Sequence, residues 1–97
     1  MKDSIQHFVR VGIDEELAMA VIQYLRDWEN EQHLRITPDD ELYGRYGIVD
    51  EDLDDIVLFI AEATGRILPT DASYWPSPLR SIEDLSKFVM SFPRRKA

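Results

Sequence analysis

Three separate segments of this chain carry apolar side chains at helical spacing, and no segment alternates as a strand would. Residues three, four and seven positions apart lie on the same side of an α-helix, so each segment can bury one face. We predict long helices near residues 14–32, 50–64 and 81–92. The predicted core residues on them are Leu17, Val21, Leu25, Ile56, Val57, Ile60, Leu85 and Val89.

Residues typical of helix ends mark the limits of these segments. Asp14 is placed to cap the first helix, and Gly65 to end the second. Ser81 and Asp84 have the spacing of a capping box, and Pro93 stops the third helix. Between the first two helices, residues 37–43 predict at most a short helical turn. The fold class is therefore all-α, with three main helices plus short helical turns.

The remaining residues divide into short flanking pieces of one domain, residues 1–97. Residues 1–13 form a lead-in that could make one apolar helical turn around Phe8. Residues 93–97 form a basic tail. Leu58 and Phe59 widen the apolar surface of the second helix, so we expect that helix to be central.

The net charge of the chain limits the classes of molecule that it can bind. The chain has 19 acidic and 11 basic residues, a formal net charge of −8. Nucleic acid is excluded because its phosphates require a basic surface, whereas a protein with a basic patch would be attracted. The longest apolar run, residues 56–61, is too short to span a bilayer, and the first ten residues do not resemble a signal peptide. We therefore expect no membrane and a cytoplasmic location.

Several short motifs resemble those of acyl carrier proteins. Ile36-Thr37-Pro38 is followed by Leu42 at an apolar anchor and by Tyr46-Gly47 where carriers have Leu-Gly. Leu68-Pro69 stands where carriers have Ile-Pro. The resemblance covers roughly residues 14–92, and it implies the small helical bundle of the carrier fold.

The resemblance fails at the residue on which carrier chemistry depends. A carrier attaches phosphopantetheine to a serine at the start of its second helix, but here the matching position is Asp50, or Asp52 in a register shifted by two. The sequence around residues 47–52 is also similar to a group of short bacterial acyl-carrier-like proteins of unknown function. We therefore expect no phosphopantetheine and no other cofactor.

The acidic start of the second helix is the leading candidate for partner binding. In carrier proteins this helix docks partners that bring Arg and Lys, so the resemblance implies the same role here. The alternative is a solvated face that only complements the helix dipole. A second candidate contact lies in the loop before the third helix, where aromatic residues could instead plug the end of the bundle. The candidate residues are Asp50, Glu51, Asp52, Asp54, Asp55, Tyr74 and Trp75.

Nothing in the sequence indicates an enzyme or a metal site. Asp50, Asp52 and Asp54 have the first spacings of a calcium loop, but the required Gly and Glu are replaced by Asp55 and Ala61. The two histidines lie far from any nucleophile pattern, and cysteine is absent. The expected function is non-catalytic protein–protein interaction. A genuine carrier with a misplaced attachment site and a non-covalent acyl or small-ligand binder are the alternatives.

Overall fold

The computed structural model describes residues 2–68 and 79–94, with side chains from Ser4 onward. No strand forms within these ranges, which confirms the predicted all-α class; isolated β-bridges join Glu41 to Ser81 and Arg66 to Arg94. The five helices are α1 (Lys2–Arg10), α2 (Glu15–Trp28), α3 (Leu42–Tyr46), α4 (Asp50–Ala63) and α5 (Ile82–Met90).

One hydrophobic core lies between α2, α4 and α5. All eight predicted core residues are buried, with at most 1% of any of them exposed, which confirms the predicted inward faces. α2 packs against α1, α4 and α5, and α4 also packs against α5. The connecting segments add Ile36 and Ile48 to the same cluster, and the segment after α5 adds Phe92. The core is thus formed by all of the described helices and by their connections.

The lead-in at residues 1–13 is more ordered than a single turn. It forms the nine-residue helix α1, and Phe8 is fully buried against the rest of the core. The chain leaves α1 through Gly12, whose φ of +91° is strained for residues with a Cβ. The amide of Ile13 then donates to the Phe8 carbonyl at 3.1 Å. The apolar turn predicted around Phe8 is therefore a full element of the fold.

Two more helices end in the hydrogen-bond pattern that closes α1, where Ile13 donates to the Phe8 carbonyl and Gly12 to the Val9 carbonyl. At the end of α2, Glu31 donates to the Arg26 carbonyl at 2.9 Å, and Asn30 adopts a φ of +54°. At the end of α4, Arg66 donates to the Ala61 carbonyl at 2.7 Å across Gly65, which has a φ of +67°. These are Schellman motifs, which need a left-handed residue. Gly65 is confirmed as a helix stop. α2 ends at Trp28, four residues before the predicted limit at residue 32, and Asn30 is the left-handed residue that follows it.

Asp14 precedes α2 as predicted, but its side chain does not cap the helix. One carboxylate oxygen instead accepts a hydrogen bond from the guanidinium of Arg66 at 2.8 Å. Arg66 is 6% exposed, and its second terminal nitrogen donates to the carbonyls of Met90 and Phe92 at 3.3 and 3.4 Å. Arg66 therefore ties the start of α2 and the end of α4 to the segment after α5.

The start of α5 has the predicted capping box. The Ser81 hydroxyl accepts from the amide of Asp84 at 3.1 Å, and the Asp84 carboxylate accepts from the amides of Ser81 and Arg80, each at 3.1 Å. Partial burial opposes ionisation of Asp84, but these hydrogen bonds from Ser81 and Arg80, with the charge of Lys87, lower its pKa overall. The folded state therefore favours the charged carboxylate.

Replacing Asp84 with asparagine tests this cap through its pH dependence. Because the folded-state pKa is below the unfolded value, the carboxylate stabilises the protein above its unfolded pKa, and that contribution is lost as pH falls through the folded-state pKa. We expect Asp84→Asn to be less stable than wild type at neutral pH and the difference to shrink in acid. Urea unfolding from neutral to acid pH measures this, and a difference independent of pH would contradict it.

Leu58 and Phe59 do not widen the buried face of α4. They are 42% and 46% exposed, because Ile56, Val57 and Ile60 already fill the inward stripe and a step of 100° per residue turns Leu58 and Phe59 away from it. We expected α4 to be central because of these two residues, and that reason is wrong, since both are exposed. α4 packs against α2 and α5 with its inward stripe, and Phe59 lies at the edge of the contact with α2, where its ring meets Tyr24.

Candidate functional site

α4 begins at Asp50, one of the two positions that the carrier resemblance assigns to the missing serine. Asp50 is exposed at the first turn. Asp52, the other position, accepts a hydrogen bond from the amide of Val49 at 3.1 Å, while its own amide donates to the Val49 carbonyl at 2.9 Å. The Asp52 carboxylate thus caps its own helix, so this candidate partner-binding residue has a structural task.

The remaining candidate acids of α4 follow the solvent side of the helix. Five residues there are spaced i, i+3, i+4, i+7 and i+11, which places them on one stripe. All five are exposed, and the single apolar member, Leu58, is 42% exposed. We name this stripe the outer face. It consists of Glu51, Asp54, Asp55, Leu58 and Glu62.

The acids of the outer face have no ionic partner within residues 2–68 and 79–94. The ion pairs described there join Arg66 to Asp14, Lys87 to Glu83, and Arg94 to acids at the start of α2. Each uses an acid outside α4. The outer face therefore presents uncompensated negative charge around one exposed leucine.

Beside the outer face, three aromatic rings form a continuous row across the seam between α2 and α4. The ring of Tyr24 stacks on Trp28 at a centroid distance of 6.4 Å and contacts Phe59 at 5.0 Å. Trp28 is 40% exposed and Phe59 46%. Burial first, and then the charges of Asp55 and Asp52, raise the pKa of Tyr24. The charges of two α4 carboxylates therefore act on the central ring of the row.

Hydrogen bonds hold one end of this row in place. The indole N–H of Trp28 donates to the carbonyl of Tyr46 at 3.0 Å, and the Tyr46 hydroxyl donates to Asp40 at 2.9 Å. Asp40 also accepts from the amide and the hydroxyl of Thr37, at 3.1 and 2.9 Å. Burial and the bond to Asp40 raise the pKa of Tyr46. The loop between α2 and α4 is thus fastened to Trp28.

A surface cleft of about 460 Å³ adjoins the start of α4. Its lining combines the apolar residues Leu42, Ile48 and Leu53 with the charged residues Asp50 and Arg80. The cleft opens to solvent rather than lying enclosed between the helices. Asp50 therefore adjoins a space of partly apolar character.

Two candidate residues, Tyr74 and Trp75, lie outside the described residues. In the described part of the chain, no cluster of three or more His, Asp or Glu side chains could hold a metal ion. Asp50, Asp52 and Asp54 all lie within helix α4, which is not the loop that a calcium site requires. None of the helices described is long and apolar enough to cross a membrane.

The aromatic row was missed at the level of sequence. Tyr24 and Trp28 are four residues apart on the first helix, where their spacing continues the apolar face that includes Val21 and Leu25, and Phe59 was expected to widen the apolar surface of the second helix. The i, i+4 spacing was visible, but the contact with Phe59 depends on how α2 and α4 pack. The exposed fractions of Trp28 and Phe59 are what distinguish this row from the core.

Comparison of the chain with family models, with curated proteins and with solved structures found no match. The carrier-like resemblance therefore depends on the motifs quoted from the sequence. Any proposal about function has to be argued from the side chains that the structure describes.

Proposed function

We propose that this chain is a non-catalytic, acyl-carrier-like helical protein that binds another protein through the outer face of α4. The observation that carries the proposal is an exposed leucine, Leu58, set among four exposed acids that have no ionic partner within the described residues. An apolar contact surrounded by charge is the usual composition of a protein interface with a polar rim. The partner would present a small apolar pocket edged by Arg or Lys.

Electrostatics supports a protein partner over nucleic acid. The chain carries a net charge of −8, and four of its acids lie together on the outer face. Such a surface repels phosphates but accelerates the encounter with a basic protein surface. The proposed complex should therefore form faster at low salt, where the charges are least screened.

The proposal also holds that the chain carries no phosphopantetheine arm. No serine or threonine occurs between Pro38 and Ile60, so α4 and the part of the preceding loop that follows Pro38 offer no alcohol oxygen for the phosphodiester. An aspartate in that place would give an acyl phosphate, which hydrolyses readily. The genuine carrier with a misplaced attachment site thus becomes the weaker alternative.

Intact-mass measurement after co-expression with a phosphopantetheinyl transferase tests this point. We expect the wild-type mass to be unchanged, because the nucleophile is missing. The variants Asp50→Ser and Asp52→Ser test which of the two positions matches the carrier serine. Asp52→Ser also removes the carboxylate that accepts a hydrogen bond from the Val49 amide. A wild-type mass increased by one phosphopantetheine group would reject this part of the proposal.

The non-covalent ligand binder is supported by the cleft beside Asp50, but less strongly. Ligand sites that enclose an apolar molecule are mostly apolar and bury most of its surface. This cleft is open, and Asp50 and Arg80 contribute charges to its lining. The outer face of α4 is the better supported site.

Neutralising the outer face tests the docking proposal. The variant Glu51→Gln, Asp54→Asn and Asp55→Asn leaves the Asp52 cap and Leu58 in place, so we expect the helix content to survive. Used as bait beside wild type in the native lysate, it should retain less of the partner. Three exposed charge pairs at roughly 0.5 kcal/mol each correspond to about a ten-fold loss of affinity.

A second triple variant controls for net charge. Glu15→Gln, Glu29→Gln and Glu31→Gln removes the same charge from exposed positions outside α4. We expect this control to retain the partner as wild type does, apart from a small general loss. Equal loss in both triple variants would mean that total charge, not the outer face, controls binding.

A further inference from the structure

The aromatic row at the seam of α2 and α4 has a chemistry that the outer face alone does not explain. Phe59 and Trp28 expose 46% and 40% of their surface, so neither ring is buried in the adjacent core. Tyr24 lies between them and contacts both rings. These three rings form an exposed apolar patch, whose hydration is unfavourable. We name this patch the platform.

Hydrogen bonds fix the Trp28 end of the platform before any partner arrives. The indole N–H of Trp28 is held by the Tyr46 carbonyl at 3.0 Å, and Tyr46 is held in turn by Asp40 at 2.9 Å. Tyr24 is packed between the other two rings. A contact surface that is already ordered loses little side-chain entropy on binding. The hydrogen-bonded indole distinguishes the Trp28 end of the row from an ordinary exposed side chain.

Negative charge lies at the edge of the platform. Asp55 is exposed and lies four residues before Phe59 on α4, which places both side chains on the same side of the helix. The charges of Asp55 and Asp52 also raise the pKa of the Tyr24 phenol, after the larger effect of burial. The Asp52 carboxylate already accepts a hydrogen bond from the Val49 amide, so Asp55 is the carboxylate left to bind a new group. A ring face beside a carboxylate suits a cation that is both flat and a hydrogen-bond donor.

We propose that the aromatic row binds an arginine side chain of the partner, whose guanidinium stacks on the exposed rings while its N–H groups pair with Asp55. Arginine fits better than lysine because the guanidinium is planar, is weakly hydrated and donates in a fork that matches a carboxylate. Aromatic rings also attract cations through their negative faces. This inference rests on the proposed docking of a basic partner, and it names the residue that the partner must present.

The test uses two synthetic peptides of equal length and charge, one with three arginines and one with three lysines between Gly and Ser residues. For wild type, we expect the arginine peptide to bind about two- to five-fold tighter. The indole N–H resonance of Trp28 should shift with the arginine peptide. Phe59→Leu keeps an apolar side chain but removes a ring face, so the preference should fall to about one.

Met19→Leu is the matched control, since Met19 is 45% exposed on α2 and lies outside the row. It should keep the wild-type preference. An arginine peptide that does not bind, that binds no tighter than the lysine peptide, or that keeps its advantage in Phe59→Leu overturns the inference. The triple variant at Glu51, Asp54 and Asp55 separates the two proposals: if it weakens both peptides while Phe59→Leu changes nothing, charge docking stands and the arginine site falls.

Discussion

Ile60→Ala is expected to lower the free energy of unfolding by about 2–5 kcal/mol. Ile60 has no exposed surface and lies in the inward stripe of α4, where that helix meets α2 and α5. Shortening it removes buried methyl and methylene groups and leaves a cavity that rigid neighbouring helices can only partly close. Denaturant titration followed by circular dichroism measures the change.

Leu58→Ala is the matched control for that experiment. Leu58 lies two residues away on the same helix, but 42% of it is exposed, so its removal should cost less than about 1 kcal/mol. The contrast between the two variants tests the assigned faces of α4. A loss below about 0.5 kcal/mol for Ile60→Ala would mean that its face is not the buried one.

Arg66→Ala is expected to cost about 1–3 kcal/mol. The substitution leaves the Met90 and Phe92 carbonyls without their donor and removes the ion pair with Asp14. Arg66 is almost fully buried, so the groups that it leaves are poorly placed to find water. Its Nε makes no hydrogen bond within the described residues, which reduces the net gain from this arginine.

Arg94→Ala is the comparison for Arg66. The Arg94 side chain is 50% exposed and pairs with Glu16 at 3.1 Å. Exposed pairs contribute between 0 and about 1 kcal/mol, so this variant should be nearly as stable as wild type. If Arg94→Ala were as damaging as Arg66→Ala, the exposed pair rather than the buried guanidinium would be what holds the C-terminal segment.

Helical periodicity was enough to predict the inward faces because burial repeats with the turn of the helix. Leu17, Val21 and Ile60 are found where their spacing places them. Turn chemistry was also readable at Gly65 and at the Ser81 capping box. These features depend on residues close in sequence, whose geometry is set by the backbone.

Features that join distant residues could not be read in this way. The contact of Tyr24 with Phe59 and the bond from Arg66 to Asp14 each need two helices to be packed first. Asp14 shows the consequence: as a helix-start acid it suggests a cap, but a buried guanidinium competes for its carboxylate. The exposed state of Phe59 likewise depends on how much of α4 its neighbours cover.

The outer face was predicted only in part. The acids at the start of α4 were visible in the sequence, but their tasks differ, since Asp52 caps the helix while Glu51, Asp54 and Asp55 face solvent. Leu58 was expected to widen the apolar surface that makes α4 central, and it is instead the exposed apolar residue of the outer face. Whether a charged side chain bonds to the nearby backbone or faces solvent depends on local geometry that composition does not specify.

The dissociation constant of the isolated partner, measured at low and high salt for wild type and for the Glu51→Gln, Asp54→Asn, Asp55→Asn variant, tests the central claim most directly. We predict that the variant binds about ten-fold more weakly at low salt and that its affinity changes less with salt than that of wild type. Unchanged affinity together with an unchanged salt dependence would contradict docking through the outer face of α4.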